Sequence, residues 1–439
     1  MLQSRRLLYN YNKLSFDSTV DKKIQNYRFL NAAQLKKLSN RPTKCKLLAR
    51  DFIDDSLYNS HYGYFNKTVS ILNYESINFN KIKNDSDLQT RLADQSQDRE
   101  WHTPTELFNP HYGMSIANYI ANKYLVHYYP YHDLNIYEIG AGNGTLMLNI
   151  LDYLKENHKE IYQRTHYNII EISTKLSNIQ KKLINRHSRN VHIINKSVFD
   201  YQTVQHEPCF FIAMEVLDNL AHDVVRYSLE THEPNPYQMV VAVDEEGDFH
   251  SLYTPVDDPL IKRYLNLRKN LPSFKPSLWT HSPILRKLRK AIPFSPNLSK
   301  EEFLPTKQLM FLDKLSSTFP NHHLIASDFH SLPESIPGIN SPVVQTRLNG
   351  EMIPVDTFLV QPGYFDIFFP TDFGLLAELY NKVMDRETFF TPRQIKRDVK
   401  VLSHKEFVEN HAVDINKTML KDGSNPMLDY YKNASFILS

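Results

Sequence analysis

Three of the chain's eleven glycines fall within five residues, next to an acid near the end of an apolar run. The segment reads NIYEIGAGNGTL from Asn135 to Leu146, which predicts a strand, a tight turn and the start of a helix. Glycines at such a turn permit positive φ angles and let a ligand approach the backbone. The free N–H groups and the positive end of the helix attract an anionic group. The segment therefore predicts an anion-binding turn, the alternative being glycines that serve the turn alone.

The spacing of these glycines selects between two kinds of ligand. A dinucleotide fingerprint, G-x-G-x-x-G, needs glycine at position 145, where Thr145 stands. The observed spacing, E-x-G-x-G-x-G, better suits a ligand that has a carboxylate but no pyrophosphate, as S-adenosylmethionine has at its methionine end. In that interpretation Glu138 favours the cationic groups of the ligand, and the glycine loop lines its methionine moiety through Gly140, Gly142 and Gly144.

Residues after the next two predicted strands extend this candidate site. Glu171 ends the second apolar run, and a carboxylate there can accept hydrogen bonds from both ribose hydroxyls, as in dinucleotide-binding folds. After the third predicted strand, Asp200 can accept from the adenine amine, while Val198 and Phe199 pack against the base. Asp200 could equally be an exposed turn residue. Because these residues follow successive strands, we expect them at one edge of a single sheet.

Strands and helices alternate from residue 134 onward, which is typical of a parallel sheet covered by helices on both faces. The predicted fold class is therefore α/β. We expect a presequence and linker at 1–45, an N-terminal helical extension at 46–130 and a main domain at 131–439. An inserted β-hairpin and basic segment interrupt the main domain at about 224–300. Within the extension, the capping box TPTE at 103–106 opens a predicted helix from Leu107 to Tyr128, and the polar residues 66–100 predict a surface loop.

Charge is segregated along the chain, although the formal net charge is only +2. Residues 1–50 hold 12 Lys and Arg against two acids, and residues 261–300 hold 10 and no acid, which leaves a net charge of −18 on the rest. The first residues, MLQSRRLLY, bear two arginines and lack a secretory apolar core, so they predict a presequence for the mitochondrial matrix; a disordered basic tail is the alternative. The stretch 261–300 could bind nucleic acid or anionic lipid, although such runs are usually solvated faces.

Composition disfavours several other classes of protein. The sequence has no run of about 18 apolar residues, so it predicts no transmembrane helix. Cys45 and Cys209 are far apart and suggest neither a metal knuckle nor a disulfide framework. The histidines include no H-E-x-x-H motif, and we expect no metal.

Several motifs taken together resemble the MidA-like family of S-adenosylmethionine-dependent methyltransferases, in pieces from about Ala49 to the end of the chain. The pieces are SLY…GYF at 56–65, TPTE…YG at 103–113, EIGAGNGTL at 138–146, EIS…L…Q…L at 171–183, EVLDN at 215–219 and PGYFD…DF at 362–373. The chain departs from the family pattern at Met214 and at 219–221, on the expected substrate side. The resemblance implies a class I methyltransferase fold with a Rossmann-like sheet and S-adenosylmethionine as cofactor. As in the mitochondrial members that assist complex I assembly, it also implies dimethylation of arginine on a protein.

An arginine substrate needs carboxylates, because a guanidinium stays charged and presents its donors in a fixed fork. The implied catalytic candidates are Glu215 and Asp218, which follow the fourth predicted strand and would share a face on a helical turn. Glu106 is the next candidate, and the alternative for the pair is two acids that stabilise a helix N-terminus. The acidic body suits a basic, arginine-bearing protein substrate. The competing hypothesis is a catalytically weak assembly or binding factor for a respiratory or ribosomal subunit.

Overall fold

The computed structural model describes residues 9–10, 23–67, 77–95, 103–229, 234–276, 282–290, 297–333, 335, 340–348, 351–385 and 398–439. The first 22 residues, apart from 9–10, lie outside these ranges, so the presequence stays a prediction. Within the described ranges, no helix combines the length and apolarity needed to cross a bilayer.

A seven-stranded, mostly parallel sheet forms the centre of the molecule. In chain order its strands are β1 (Leu134–Ile139), β2 (Thr165–Ile170), β3 (Val191–Ile194), β4 (Cys209–Met214), β5 (His322–Phe329), β6 (Lys400–Ser403) and β7 (Ala434–Leu438). Their spatial order is β3-β2-β1-β4-β5-β7-β6; β7 is antiparallel to β5 and β6, and the other neighbours pair in parallel. All six residues of β4 are buried, as a parallel strand between two helical layers requires. The predicted α/β class is confirmed.

Helices cover both faces of the central sheet. One layer contains His111–His127, Thr145–Asn157 and His404–His411. The other contains Pro259–Arg268, Thr306–Thr318 and Phe373–Met384. The crossovers bring the carboxyl ends of β1, β2, β4 and β5 to one edge, where α/β sheets bind their ligands.

A second, mostly antiparallel sheet joins the start of the chain to the insertion. Its strands are Tyr9–Asn10, Arg28–Phe29, Cys45–Leu48, Asp223–Tyr227, Pro236–Val243, Phe249–Pro255 and Glu302–Leu304. Because Cys45–Leu48 pairs with residues 240–243 of the insertion, residues 28–48 belong to the folded body, contrary to the linker expected up to residue 45. A four-residue strand is too short for its periodicity to reveal it.

Three local predictions also differ from the structure. Within 66–100, where a loop was expected, helix Asp85–Gln95 buries Leu88 and Leu92 in the core. The helix expected from Leu107 ends there and a new one starts at His111, because Pro110 has no N–H to continue the ladder. No helix follows β4: the chain makes a turn at 215–220 and continues as a strand.

The remaining elements are short. They are the helices Ala32–Leu35, Ala49–Tyr58, Tyr64–Lys67, Pro104–Leu107, Lys159–Gln163, Thr174–Leu183, Pro283–Lys290 and Pro426–Asp429, the 3-10 helices Phe79–Lys81, Ile184–His187, Val198–Asp200 and Ile415–Thr418, and a three-stranded sheet of Val343–Leu348, Glu351–Val355 and Asp366–Phe368. Helix Ala49–Tyr58 packs on the second sheet and on strand Asp366–Phe368.

Candidate active site

A cavity of about 570 Å³ lies at the carboxyl edge of the central sheet. Its walls come from the glycine loop after β1, from the ends of β2 and β4, and from helix Ala49–Tyr58. Most of the candidate residues line it: Glu106, Glu138, Gly140, Gly142, Glu171, Val198, Phe199, Glu215 and Asp218. The structure thus brings together residues that the sequence placed after separate strands.

The glycine loop adopts the conformation that its composition predicts. Gly140, Gly142 and Gly144 have φ angles of 64°, 53° and 86°, which favour glycine. A Cβ atom on Gly140 would lie 2.9 Å from Cγ2 of Val216. Gly144 caps helix Thr145–Asn157 and does not itself line the cavity.

Glu138 is buried at the end of β1. Tyr167 donates a hydrogen bond from Oη to Glu138 Oε2 at 2.8 Å. Burial raises the pKa of Glu138 to about 8, against the opposing effect of the Tyr167 hydrogen bond. A cationic ligand group would favour the ionised form of this carboxylate.

Glu171 is buried at the end of β2 and is held by two neighbours. Its Oε1 accepts from the backbone N–H of Ser173 at 2.8 Å, and its Oε2 accepts from Gln180 Nε2 at 3.1 Å. Gln180 also donates to the carbonyl of Gly142 at 2.8 Å, so one side chain ties β2 to the glycine loop. Burial raises the pKa of Glu171 to about 7, although both hydrogen bonds oppose the shift.

The structure separates the three residues predicted to hold the adenine. Val198 and Phe199 line the cavity, whereas Asp200 is not among its lining residues. The Asp200 carboxylate is half exposed and forms an ion pair with Lys36 Nζ at 3.0 Å. Lys36 does line the cavity, so the N-terminal segment reaches this rim. Asp200 is therefore a rim residue here, in line with the alternative of an exposed turn residue.

Glu215 and Asp218 lie in a loop, not on the helical turn that their spacing suggested. Glu215 has a φ of 53°, which is uncommon for a residue with a side chain, and its N–H donates to the carbonyl of Ser327 at 2.8 Å. Asp328 Oδ2 accepts from the N–H groups of Leu217 at 2.7 Å and Asp218 at 3.0 Å. Because no helix begins here, a helix-capping role does not account for the two acids.

Asp328 is one residue near this site that the sequence did not predict. It sits at the end of β5, at the same sheet edge as the candidates, and its buried carboxylate organises the loop after β4. An acid at the end of an apolar run was the available signal, the same one that identified Glu171. Burial raises the pKa of Asp328 to about 7, while the backbone donors oppose the shift.

Two carboxylate oxygens in the cavity wall lack a protein partner among the described residues: Asp218 Oδ1 and Glu106 Oε2. Burial and the nearby Asp328 carboxylate raise the pKa of both Asp218 and Glu215 well above the ordinary range. Glu106 Oε1 accepts from Thr145 Oγ1 at 2.7 Å and Asn143 Nδ2 at 3.2 Å. Glu106 thus supports the glycine loop with one oxygen, while its other oxygen is buried without a partner among the described residues.

Helix Ala49–Tyr58 adds acids that sequence analysis did not single out. Asp51, Asp54 and Asp55 all line the cavity, at a spacing that places them on neighbouring positions of one helix. Asp54 pairs with Lys307 Nζ at 3.0 Å, and this ammonium also lies 4.5 Å from the ring centroid of Phe199. Helix Ala49–Tyr58 thus adds three carboxyl groups to the cavity wall, one of which is paired with a lysine.

The residues present fit S-adenosylmethionine. The positive-φ glycines would line its methionine moiety, Glu171 would accept from its ribose hydroxyls, and Phe199 would pack against its base. Its sulfonium supplies a transferable methyl group when it is bound. Among the described residues, no group of His, Cys, Asp and Glu is arranged to hold a metal ion.

Comparison with known proteins identifies the family. Residues 115–390 match the model of a family of S-adenosyl-L-methionine-dependent methyltransferases. The chain belongs to this family. The resemblance to MidA-like proteins is therefore confirmed, as is S-adenosylmethionine as the cofactor of the class.

Two curated relatives carry the same description, protein arginine methyltransferase NDUFAF7 homolog, mitochondrial. The Schizosaccharomyces pombe protein is 30% identical over 261 residues, which span 54% of this chain and 52% of the relative. The Saccharomyces cerevisiae protein is 23% identical over 354 residues, 74% of this chain and 77% of the relative. The chain thus matches about half the length of the first relative.

Solved structures support the fold. A Burkholderia thailandensis protein crystallised with S-adenosyl-homocysteine has a TM-score of 0.58 at 13% identity, with 90% of this chain and 87% of that chain covered. A native structure from the same organism has a TM-score of 0.52 at 11% identity and the same coverage. The predicted class I methyltransferase fold is confirmed.

Proposed function

We propose that this protein is a mitochondrial enzyme that transfers methyl groups from S-adenosylmethionine to arginine on a basic protein substrate. The observation that carries the proposal is Asp218, which lines the cavity beside Glu215 and whose buried Oδ1 has no protein partner among the described residues. The descriptions of both curated relatives support the arginine substrate and the mitochondrial location.

In this proposal Glu215 and Asp218 bind the guanidinium and orient one of its nitrogens toward the methyl group. Positioning of this kind can supply much of the rate, because an in-line displacement needs nucleophile, carbon and leaving group collinear. A bound cation would return both carboxylates to their ionised forms, which burial and the nearby Asp328 carboxylate disfavour in its absence. Asp328 acts as a positioning residue, since it fixes the backbone of the loop that carries both acids.

The reaction forms an N–CH₃ bond as the S–CH₃ bond breaks, and the substituted nitrogen must release a proton. A carboxylate that pairs with the guanidinium is placed to take that proton. Beside the bound guanidinium Glu215 and Asp218 would both be ionised, so either carboxylate can take this proton.

The test separates cofactor binding from transfer. In the variant Glu215→Gln/Asp218→Asn, affinity for S-adenosylmethionine should stay within about threefold of wild type, while methyl transfer to extracted mitochondrial proteins falls by more than about 100-fold. Calorimetry measures the first quantity, and isotopically labelled methyl incorporation the second. A double variant that transfers methyl groups normally would remove these two residues from the site.

Wild-type protein that binds S-adenosylmethionine but modifies none of the extracted proteins would favour the competing hypothesis of an assembly or binding factor.

A further inference from the structure

Helix Pro283–Lys290 in the basic segment has its side chains distributed in an unusual way. Arg286 is buried, with 3% of its surface exposed, and donates from Nη2 to the carbonyl of Ser228 at 3.0 Å. Ile284 and Leu288 are 71% and 59% exposed. A surface helix ordinarily buries its apolar residues and exposes its arginines. Here the arginine fastens the helix to the body, and the two aliphatic residues face outward.

The outward residues form one continuous face. Ile284, Lys287 and Leu288 are all exposed and stand at i, i+3 and i+4, positions that are neighbours on a helix surface. We call these three residues the outer face. It combines two large aliphatic side chains with an ammonium on a flexible stem.

The stretch of chain that contains the outer face is basic. Of the ten Lys and Arg in 261–300, the structure uses Arg263, Arg268 and Arg286 internally, the first two in ion pairs with Asp313 and Glu302. Five lysines of this segment are exposed: Lys262, Lys269, Lys275, Lys287 and Lys300. Because the segment contains no acid, these charges are not neutralised from within it.

We propose that the outer face docks this protein on an anionic phospholipid surface. Aliphatic side chains on a basic helix can enter the boundary between headgroups and acyl chains while lysines contact the phosphates. The net charge of −18 outside the two basic segments would repel the same surface and so orient the molecule with this helix toward the membrane.

Two other occupants fit less well. Single-stranded nucleic acid is held by aromatic side chains and arginines that stack on bases, whereas the outer face offers Ile284 and Leu288. A stable protein interface buries about 1,200 Å² or more, far beyond two aliphatic side chains. Membrane association needs only a few inserted residues supported by charge.

The experiment is flotation of the full chain with vesicles of phosphatidylcholine alone, or with roughly one anionic phospholipid in five. Wild type should float with the anionic vesicles only. Raising the salt from about 0.1 to 1 M, which shortens the Debye length from about 10 to 3 Å, should release it. Ile284→Ser/Leu288→Ser should lower the partition coefficient about tenfold or more, and Lys287→Gln, which removes one charge, about fivefold.

Val126→Ser is the matched control, because Val126 is 77% exposed at the end of helix His111–His127 and should not change flotation. Affinity for S-adenosylmethionine should be unchanged in all variants, which verifies their fold and keeps the result separate from the proposed function. Four results would overturn the proposal: no flotation of wild type, equal flotation of the serine double variant, binding of single-stranded RNA but not vesicles, or a change of oligomeric state in that variant.

Discussion

The glycines of the turn after β1 have two roles: they adopt positive φ angles, and they leave room for a ligand next to the backbone. Gly140, Gly142 and Gly144 all take positive φ angles, and the first two line the cavity. A branched side chain at Gly142 would meet two penalties, backbone strain and blocked access to the backbone.

Gly142→Val is therefore expected to abolish S-adenosylmethionine binding, while Gly247→Val should bind like wild type. Gly247 is a matched control, because its φ of 91° imposes comparable strain and a Cβ atom there meets nothing within 4 Å. Calorimetry on both variants, after circular dichroism shows that they are folded, checks the prediction. Unchanged affinity in a folded Gly142→Val would place the cofactor elsewhere.

The raised pKa of Glu171 predicts that cofactor affinity depends on pH. Its folded-state pKa of about 7 lies above the usual value, so near pH 6 the empty site holds a proton that ribose binding must release. Because binding requires the ionised carboxylate, affinity for S-adenosylmethionine should rise with pH, by up to about tenfold per pH unit below the pKa. Calorimetry from pH 6 to about 7.5 in buffers of different ionisation enthalpy measures the affinity and the released proton.

Glu171→Gln, which cannot ionise, should bind more weakly and flatten this pH profile. Glu138, with its pKa of about 8, would retain part of the dependence in the variant. Wild-type affinity that stays flat across this range would contradict the proposed role of Glu171.

At the scale of secondary-structure elements, the strands could be predicted from the local sequence, whereas pairings between distant segments could not. Strands β1, β2 and β4 are buried runs that end in an acid or glycine, and their shared edge follows from the parallel topology. The pairing of Cys45–Leu48 with residues 240–243 joins parts of the chain that are far apart in sequence, and no local pattern encodes it. The ion pair between Lys36 and Asp200 could not be foreseen for the same reason.

This pairing predicts different outcomes for two truncations. Deleting residues 1–48 removes strand Cys45–Leu48, which pairs with Pro236–Val243. Because the backbone of Pro236–Val243 would then lack these hydrogen bonds, the variant should be unfolded or lose cofactor binding. Deleting residues 1–22 spares Cys45–Leu48 and, of the residues that the structure describes, removes only the two-residue strand Tyr9–Asn10 at the end of the sheet, so it should leave the melting temperature within about 4 °C of wild type.

The shorter deletion also tests localisation, because it removes the acid-poor first residues while keeping the fold. It should leave the protein outside mitochondria. A deletion variant that still enters mitochondria would show that the targeting signal lies elsewhere in the chain.

For the whole molecule, the charge distribution becomes interpretable once the fold is known. Acids of the cavity wall come from helix Ala49–Tyr58 and from the loop after β4, which are distant in sequence. Three arginines of the basic segment are internal, so the charge count of the sequence overstated its free surface charge. The glycine loop could be predicted from sequence because its chemistry is local, whereas the grouping of acids in the cavity wall depends on the fold.

The most direct test of arginine methylation is a mass-spectrometric comparison of mitochondrial proteins. Cells that lack the chain would be compared with cells that carry wild type or Glu215→Gln/Asp218→Asn. At least one dimethyl-arginine should disappear without the chain, return with wild type and stay absent with the double variant, although that variant binds S-adenosylmethionine. An unchanged set of methylated arginines in cells that lack the chain would contradict the account.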